Sequence, residues 1–311
     1  MPVNLKELSS QKELFAPGHR ACAGCGPAIA LRQVLHVAGK NTVVGFATGC
    51  MEVVSTIFPY TAWEVPYIHS LFENVGATVS GVETAYRALK KKGKIEEDIN
   101  FIAFGGDGGT YDIGLQSLSG AMERGHNMLY ICYDNQAYMN TGIQRSSATP
   151  YCASTTTSPS GEEIPGKVQW RKDLTEIMAS HNLPYVAQAT ISEWNDLMDK
   201  VKKALSIQGP KFMNILAPCQ LGWYYNPEDT VAIADLAFRS RIWPLYEVEN
   251  GVHKITKKPS SKKIVPVEEY MKPQGRFRHL FKGDNKKIIE QIQKDTDKRW
   301  ERLEKLEEAG L

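Results

Sequence analysis

Apolar and polar positions alternate in two rhythms along the first 220 or so residues of this 311-residue chain. Short runs at 41–47, 102–104, 128–133, 185–189 and 211–217 are apolar on both faces, as buried parallel strands are. Between them lie stretches at helical spacing. Gly26-Pro27 opens one, with Ile29, Leu31, Val34 and Leu35 on its buried side and Gly39 at its end. Residues 75–92 form another, lined by the small Gly76, Ala77, Ser80, Gly81 and Ala85 and closed by a basic turn at 90–94 that complements the helix dipole. Ile113, Leu115, Leu118 and Met122 mark a third, and 174–178 a fourth. Trp194, Leu197, Met198, Val201 and Leu205 mark a fifth, with Ser192 as its cap. Strands alternating with helices predict an α/β fold: a mostly parallel sheet with helices on both faces. Residues 1–17 read as a polar arm, and 56–74 as an aromatic loop containing Phe58, Tyr60, Trp63, Tyr67 and Phe72. The Ser-, Thr-, Pro- and Gly-rich stretch 149–167 reads as a low-complexity linker or, the favoured reading, as an ordered loop. From 225 to 285 the rhythm is lost. Ile288, Ile289, Ile292, Trp300, Leu303 and Leu306 then mark an amphipathic helix over 284–308, expected to dock on this chain or a partner. The expected division is a main domain over 1–224 and an extended C-terminal arm and helix over 225–311.

The densest chemistry falls in residues 101–149. One apolar run ends in Gly105-Gly106-Asp107-Gly108-Gly109, a helical stretch follows, and a second run ends in Asp134-Asn135. That order is a βαβ unit. Glycines at a strand end allow backbone N–H groups to approach a diphosphate closely. Asp107 and Asn135 are 28 residues apart, each just past a strand end. If the two strands are parallel neighbours, both side-chain oxygens enter one crevice, a donor set that suits Mg²⁺. The loop alone is also explained by an ordinary tight βα turn.

Composition narrows the class. The chain is 42% hydrophobic and 23% charged with a net charge of +2, so nothing draws it to nucleic acid or to a membrane surface. No apolar run approaches the roughly 18 residues of a membrane span, and the N-terminus lacks the apolar core of a signal peptide, so a cytoplasmic location is expected. Six cysteines, two in a CxxC, read as metal or redox sites rather than a disulfide framework. Cys22 and Cys25 lie on a glycine-rich loop; Cys50, after Thr48-Gly49, and Cys219, after Pro218, each follow a strand end. Four such thiols fit zinc and a [4Fe–4S] cluster equally well on spacing. Cys132, inside a strand, and Cys152, in a flexible loop, are given no ligand role. His36 reads as a helix-surface residue, while His69 and Glu73 read as pocket or structural residues. Residues 251–287 hold eleven Lys or Arg against three Asp or Glu, read as an interface rim.

The stretch YDNQAYMNTGIQRSSATP, with GDG ahead of it, resembles the β subunit of the 2-oxoacid:ferredoxin oxidoreductases, above all the pyruvate type, with the oxalate enzyme a relative. The likeness runs from residue 18 to about residue 279. It implies the thiamin-diphosphate-binding fold, with Asp107, Asn135 and the carbonyl of Ala137 holding Mg²⁺. It implies that Gly24, Cys25, Thr48, Gly49, His69, Gly106, Asp107, Gly108, Gly109, Asn135, Asn140 and Thr141 bind the cofactor, with Asn140 and Thr141 nearest the reacting centre. It also implies one [4Fe–4S] cluster on Cys22, Cys25, Cys50 and Cys219. The partners implied are α-, γ- and δ-type subunits, ferredoxin, a 2-oxoacid and coenzyme A, with the glutamate that activates thiamin supplied by the α subunit. Pyruvate is the expected substrate, and another small 2-oxoacid such as oxalate, without coenzyme A, the alternative. A non-oxidative thiamin decarboxylase leaves the four cysteines unexplained. A zinc-stabilised or electron-transfer scaffold leaves GDG and Asn135 unexplained.

Overall fold

The computed structural model describes residues 4–311. Its eight strands are β1 (Thr42–Ala47), β2 (Tyr67–Ser70), β3 (Asn100–Gly106), β4 (Leu129–Asp134), β5 (Tyr185–Thr190), β6 (Lys211–Leu216), β7 (Leu245–Glu249) and β8 (Val252–Lys257). They form one sheet in the order β2-β1-β3-β4-β6-β5-β7-β8. The first six pair in parallel, and β7 and β8 add an antiparallel hairpin beyond β5. The five apolar runs of the sequence are thus strands, β3 and β4 being parallel neighbours.

Helices cover both faces because alternate strand residues point to opposite sides. On one side, α1 (Gly26–Ala38) and α4 (Trp194–Ser206) bury Leu31, Val34, Leu197 and Val201 against Val44, Phe46, Phe104, Ile131 and Met213. On the other, α2 (Val75–Lys91) and α3 (Leu115–Glu123) bury Val75, Val79, Leu118 and Met122 against Phe101, Ala103 and Tyr130. The small residues of α2 permit contact: a methyl on Gly76 would lie 3.0 Å from the carbonyl oxygen of Ser117.

Several details differ from the sequence reading. The aromatic stretch 56–74 contains β2, a four-residue edge strand whose middle residues are exposed, so no alternation announces it. Ile113 is 57% exposed, because it ends a π-helical turn (Gly108–Ile113) that breaks register with α3. Ser192 does not cap α4: Glu193 is its N-cap residue, and the buried Ser192 hydroxyl has no partner. Residues 225–257, expected within an extended arm, instead supply α5 (Thr230–Arg239), β7 and β8 to the main body. An antiparallel hairpin needs no crossover helix, so the βα rhythm vanishes although the sheet continues. The last helix, α6 (Lys286–Ala309), docks on this chain, burying Ile289, Ile292, Trp300 and Leu303.

Residues 149–167 form an ordered loop, as favoured from the sequence, rather than a low-complexity linker or a flexible surround for Cys152. Cys152 and Ala153 are fully buried, and so is Lys167. The Lys167 ammonium donates to the carbonyls of Thr149 (2.8 Å) and Gln169 (2.9 Å), stitching the loop shut. Burial pushes its pKa down to about 8. Replacement by Ala orphans these carbonyls, at about 1–3 kcal/mol each. Lys167→Ala is therefore expected to lower unfolding stability by at least about 2 kcal/mol, read by chemical denaturation; a change below about 0.5 kcal/mol would show that the stitch is idle.

Candidate functional site

The carboxyl ends of β1, β3 and β4 open into one cleft of about 320 Å³. Ligands of open α/β sheets bind at this edge. Gly106 pairs with Tyr133, which brings the turns after β3 and β4 side by side. Asp107, 1% exposed, begins the π-helical turn. The glycines around it are required by their neighbours. A methyl on Gly108 would lie 2.3 Å from the ring of Tyr138, and one on Gly49 2.6 Å from the Tyr133 hydroxyl. Tyr138 donates its own hydroxyl to the Gly108 carbonyl at 2.9 Å, locking the turn.

Three groups converge beneath this turn. The end of the Asn135 carboxamide lies 2.8 Å from Asp107 Oδ1 and 2.9 Å from the carbonyl oxygen of Ala137. With the amide nitrogen turned inward it donates to both; with the amide oxygen inward, three oxygens face one point, as a hard cation requires. Ser146 donates to the other Asp107 oxygen. Burial, and then the nearby Asp134 carboxylate, holds the Asp107 carboxyl well above its ordinary range.

The loop that carries Asn135 is braced from several directions. Gln136 has a left-handed backbone (φ 67°). Its N–H donates to Asp134 Oδ1 (3.1 Å), and its carbonyl accepts from Thr149 (2.6 Å). Asp134 is itself fixed by Arg171 and by Tyr111, each at 2.7 Å. The Trp223 indole donates to the Asn135 carbonyl at 2.7 Å.

The cysteines gather at the same edge. Cys50 follows β1 and lines the cleft. Cys219 follows β6 and is the N-cap residue of a short helix, Gln220–Trp223, its sulfur accepting from Gly222 N at 3.4 Å. The Cys22–Cys25 loop is clamped: Thr230 donates to the Gly24 carbonyl at 2.6 Å, and Gly26 N donates to the Pro218 carbonyl at 3.2 Å. Gly24 has φ 67°, and a methyl there would lie 2.2 Å from the Pro227 carbonyl oxygen. Burial pushes the Cys25 and Cys50 thiols up to about 12, and Cys22 and Cys219 contribute to both shifts, so the four sulfurs form one electrostatic neighbourhood. Among the described residues no three His, Cys, Asp or Glu side chains converge closely enough to hold a single metal ion.

Of the residues singled out from sequence, Thr48, Gly49, Cys50, Gly106, Asp107, Gly108, Gly109, Asn135, Ala137, Asn140 and Thr141 line the cleft. His69 stands behind it, its Nε2 2.7 Å from the Thr48 hydroxyl. Gly24 and Cys25 belong to the cysteine side. Glu73 is half-buried with its backbone packed on Gly114. Phe72, read from sequence only as part of the aromatic loop, lines the cleft too, and so do Tyr133, Tyr138 and Met139, to which the sequence reading gave no site role; of these four, three lie in or beside the stretch that carries the family resemblance. Trp223 gave no local signal.

A larger cavity, about 1010 Å³, lies between α6 and the body, among Trp170, Trp243, Tyr246, Arg299 and Leu303. It has no glycine turn and no cysteine. Among the described residues no helix is long and apolar enough to cross a membrane.

The chain is similar to known proteins. The thiamine pyrophosphate enzyme C-terminal TPP binding domain matches residues 47–215, which include Asp107 and Asn135. The chain is 55% identical to pyruvate synthase subunit PorB of Thermotoga maritima over 99% of this chain and 98% of that one. It is 59% identical to PorB of Methanocaldococcus jannaschii over 93% and 96%, and 44% identical to ketoisovalerate oxidoreductase subunit VorB of Pyrococcus abyssi over 96% and 94%. A solved 2-oxoglutarate:ferredoxin oxidoreductase from Magnetococcus marinus shares the fold, with TM-score 0.57 and 24% identity over 75% of this chain and 74% of that one. The chain is a β subunit of the thiamin-diphosphate-dependent 2-oxoacid:ferredoxin oxidoreductase family.

Proposed function

We propose that this chain holds thiamin diphosphate through Mg²⁺ on Asp107, Asn135 and the carbonyl of Ala137. In the same reading it carries one [4Fe–4S] cluster on Cys22, Cys25, Cys50 and Cys219, and serves the oxidation of pyruvate to acetyl-CoA and CO₂ with ferredoxin as acceptor. The observation that carries this reading is the convergence of the Asp107, Asn135 and Ala137 groups beside a glycine turn. An ionised Asp107 is costly when buried, and a divalent cation with a diphosphate offsets that cost. The cysteines fit the cluster: four soft donors share one neighbourhood at this sheet edge. When bound, thiamin diphosphate supplies a centre that stabilises the carbanion left by decarboxylation, and the cluster supplies one-electron transfer. The chain's own residues anchor and exclude. The turn at 106–109 offers backbone N–H groups to the diphosphate, Tyr133 and Tyr138 wall the cleft, and Asn140 and Thr141 stand at its mouth for the reacting end.

Asp107 is the one carboxylate in the cleft wall among the described residues, and it faces the cation site. In this reading the glutamate that activates the ring comes from a partner subunit, within a complex of α-, γ- and δ-type subunits. Pyruvate is supported by the PorB relatives of Thermotoga maritima and Methanocaldococcus jannaschii, 55% and 59% identical to this chain. The test uses the anaerobically purified complex, measuring ferredoxin reduction with pyruvate, 2-oxoisovalerate, 2-oxoglutarate and oxalate, with and without coenzyme A. Pyruvate with coenzyme A should exceed the others in kcat/KM by at least about tenfold, roughly 1.4 kcal/mol of transition-state discrimination. Preference for 2-oxoisovalerate would move the chain to the branched-chain enzymes. The isolated chain should exchange the thiamin C2 proton no faster than free thiamin; fast exchange there would overturn the composite site.

A further inference from the structure

Arg276 is 2% exposed. Its hydrogen-bond partners are Gln136 Oε1 (2.6 Å), Gln274 Oε1 (2.8 Å) and the Tyr270 hydroxyl (3.3 Å), all neutral. Its guanidinium lies 3.7 Å from the ring centroid of Trp223 and 4.9 Å from that of Phe277. Such a buried cation is costly unless an opposite charge compensates it. A carboxylate that acts on it, Asp134, is already paired with Arg171. Cys219 lies one short turn from the ring that Arg276 covers: the Trp223 backbone N–H donates to the Cys219 carbonyl at 2.9 Å.

The placement is specific. Trp223 ends the short helix that Cys219 begins, and its indole holds the Asn135 carbonyl. Arg276 stacks on that indole and grips the residue between Asn135 and Ala137. It thus sits over the link between the thiolates and the cation-binding loop.

We propose that Arg276 is a positioning and electrostatic residue for electron transfer, its fixed positive charge raising the reduction potential of the cluster held by Cys219. The proposal rests on the cluster reading above. A cluster held by these four thiolates would be anionic, and its reduced form would carry one more negative charge than its oxidised form. A fixed cation in a low-dielectric interior favours the more negative, reduced form. Arg276 itself gains and loses no proton in this step.

The test is an EPR-monitored redox titration of the complete complex, following the cluster signal that Cys219→Ser removes. Arg276→Met should disfavour reduction at least about tenfold, a shift of about 59 mV to more negative potential for a one-electron couple. Gln274→Glu keeps the arginine but places a carboxylate on its Nε, and should shift the potential the same way. It decides the matter if Arg276→Met does not fold. Arg276→Lys, which keeps the charge, should stay within about threefold of wild type. An unmoved or more positive potential in Gln274→Glu and in any folded Arg276→Met overturns the proposal while leaving the cluster reading intact. A lysine variant that shifts as far as methionine does the same, since geometry and not charge would then matter. If Cys219→Ser removes no signal, the cluster reading fails and the proposal with it.

Discussion

Asp107→Ala is expected to purify with its iron but without its thiamin diphosphate. Three groups converge at the proposed cation site, and Asp107 is the only one that carries charge. Asn135 and the Ala137 carbonyl are neutral, so the variant leaves the cation two dipoles in a buried pocket. Losing a residue that merely orients a metal ligand costs about 10–100-fold in affinity, so losing the charged ligand itself should cost at least about 100-fold. The fold should survive. Burial already opposes the ionised carboxylate, so its removal relieves a cost that offsets the hydrogen bonds lost from Ser146 and from the Asn135 backbone, at about 1–3 kcal/mol each. Thiamin and iron assayed on one preparation separate the cases. Full thiamin occupancy would show that Asp107 is not a ligand; parallel loss of both would point to misfolding.

Cys219→Ser should give the opposite pattern: iron largely lost, thiamin retained, and ferredoxin reduction down by at least about 100-fold. Serine is a hard oxygen donor and a poor substitute for a thiolate on iron. It is also a good N-cap residue, and Cys219 occupies the N-cap of Gln220–Trp223. The substitution therefore removes ligation while preserving the local turn, including acceptance of the Gly222 N–H. Cys219 is not in the cleft wall, whereas Cys50 is. Cys50→Ser should accordingly lose iron and also weaken cofactor binding. Wild-type iron in Cys219→Ser would remove that residue from the site; equal thiamin loss in the two variants would contradict the division of the edge into a cysteine side and a cation side.

What the sequence determined about this protein is local and periodic. A βαβ unit ending in GDG and Asn135 places both side chains by short-range geometry alone: successive parallel strands sit side by side, and their turns share an edge. The cysteines were legible for the same reason, each lying on a turn that follows or precedes an element of clear period. The tertiary structure decided what depends on distant contacts. β2 is an exposed edge strand without alternation, and β7 and β8 extend the sheet by hairpin pairing, which leaves no βα signature. Trp223 reaches Asn135 across 88 residues, and Arg276 reaches Gln136 across 140. Residues so separated share no period or motif with their partners. The chain could anchor the Asn135 loop and its cysteines from β3, β4 and the CxxC turn, but only the packed C-terminal residues fix how those two regions stand toward each other. The free energy that holds them there comes from burying Trp223, Tyr270 and Phe277 together around an arginine, a result of packing that no stretch of the sequence encodes by itself.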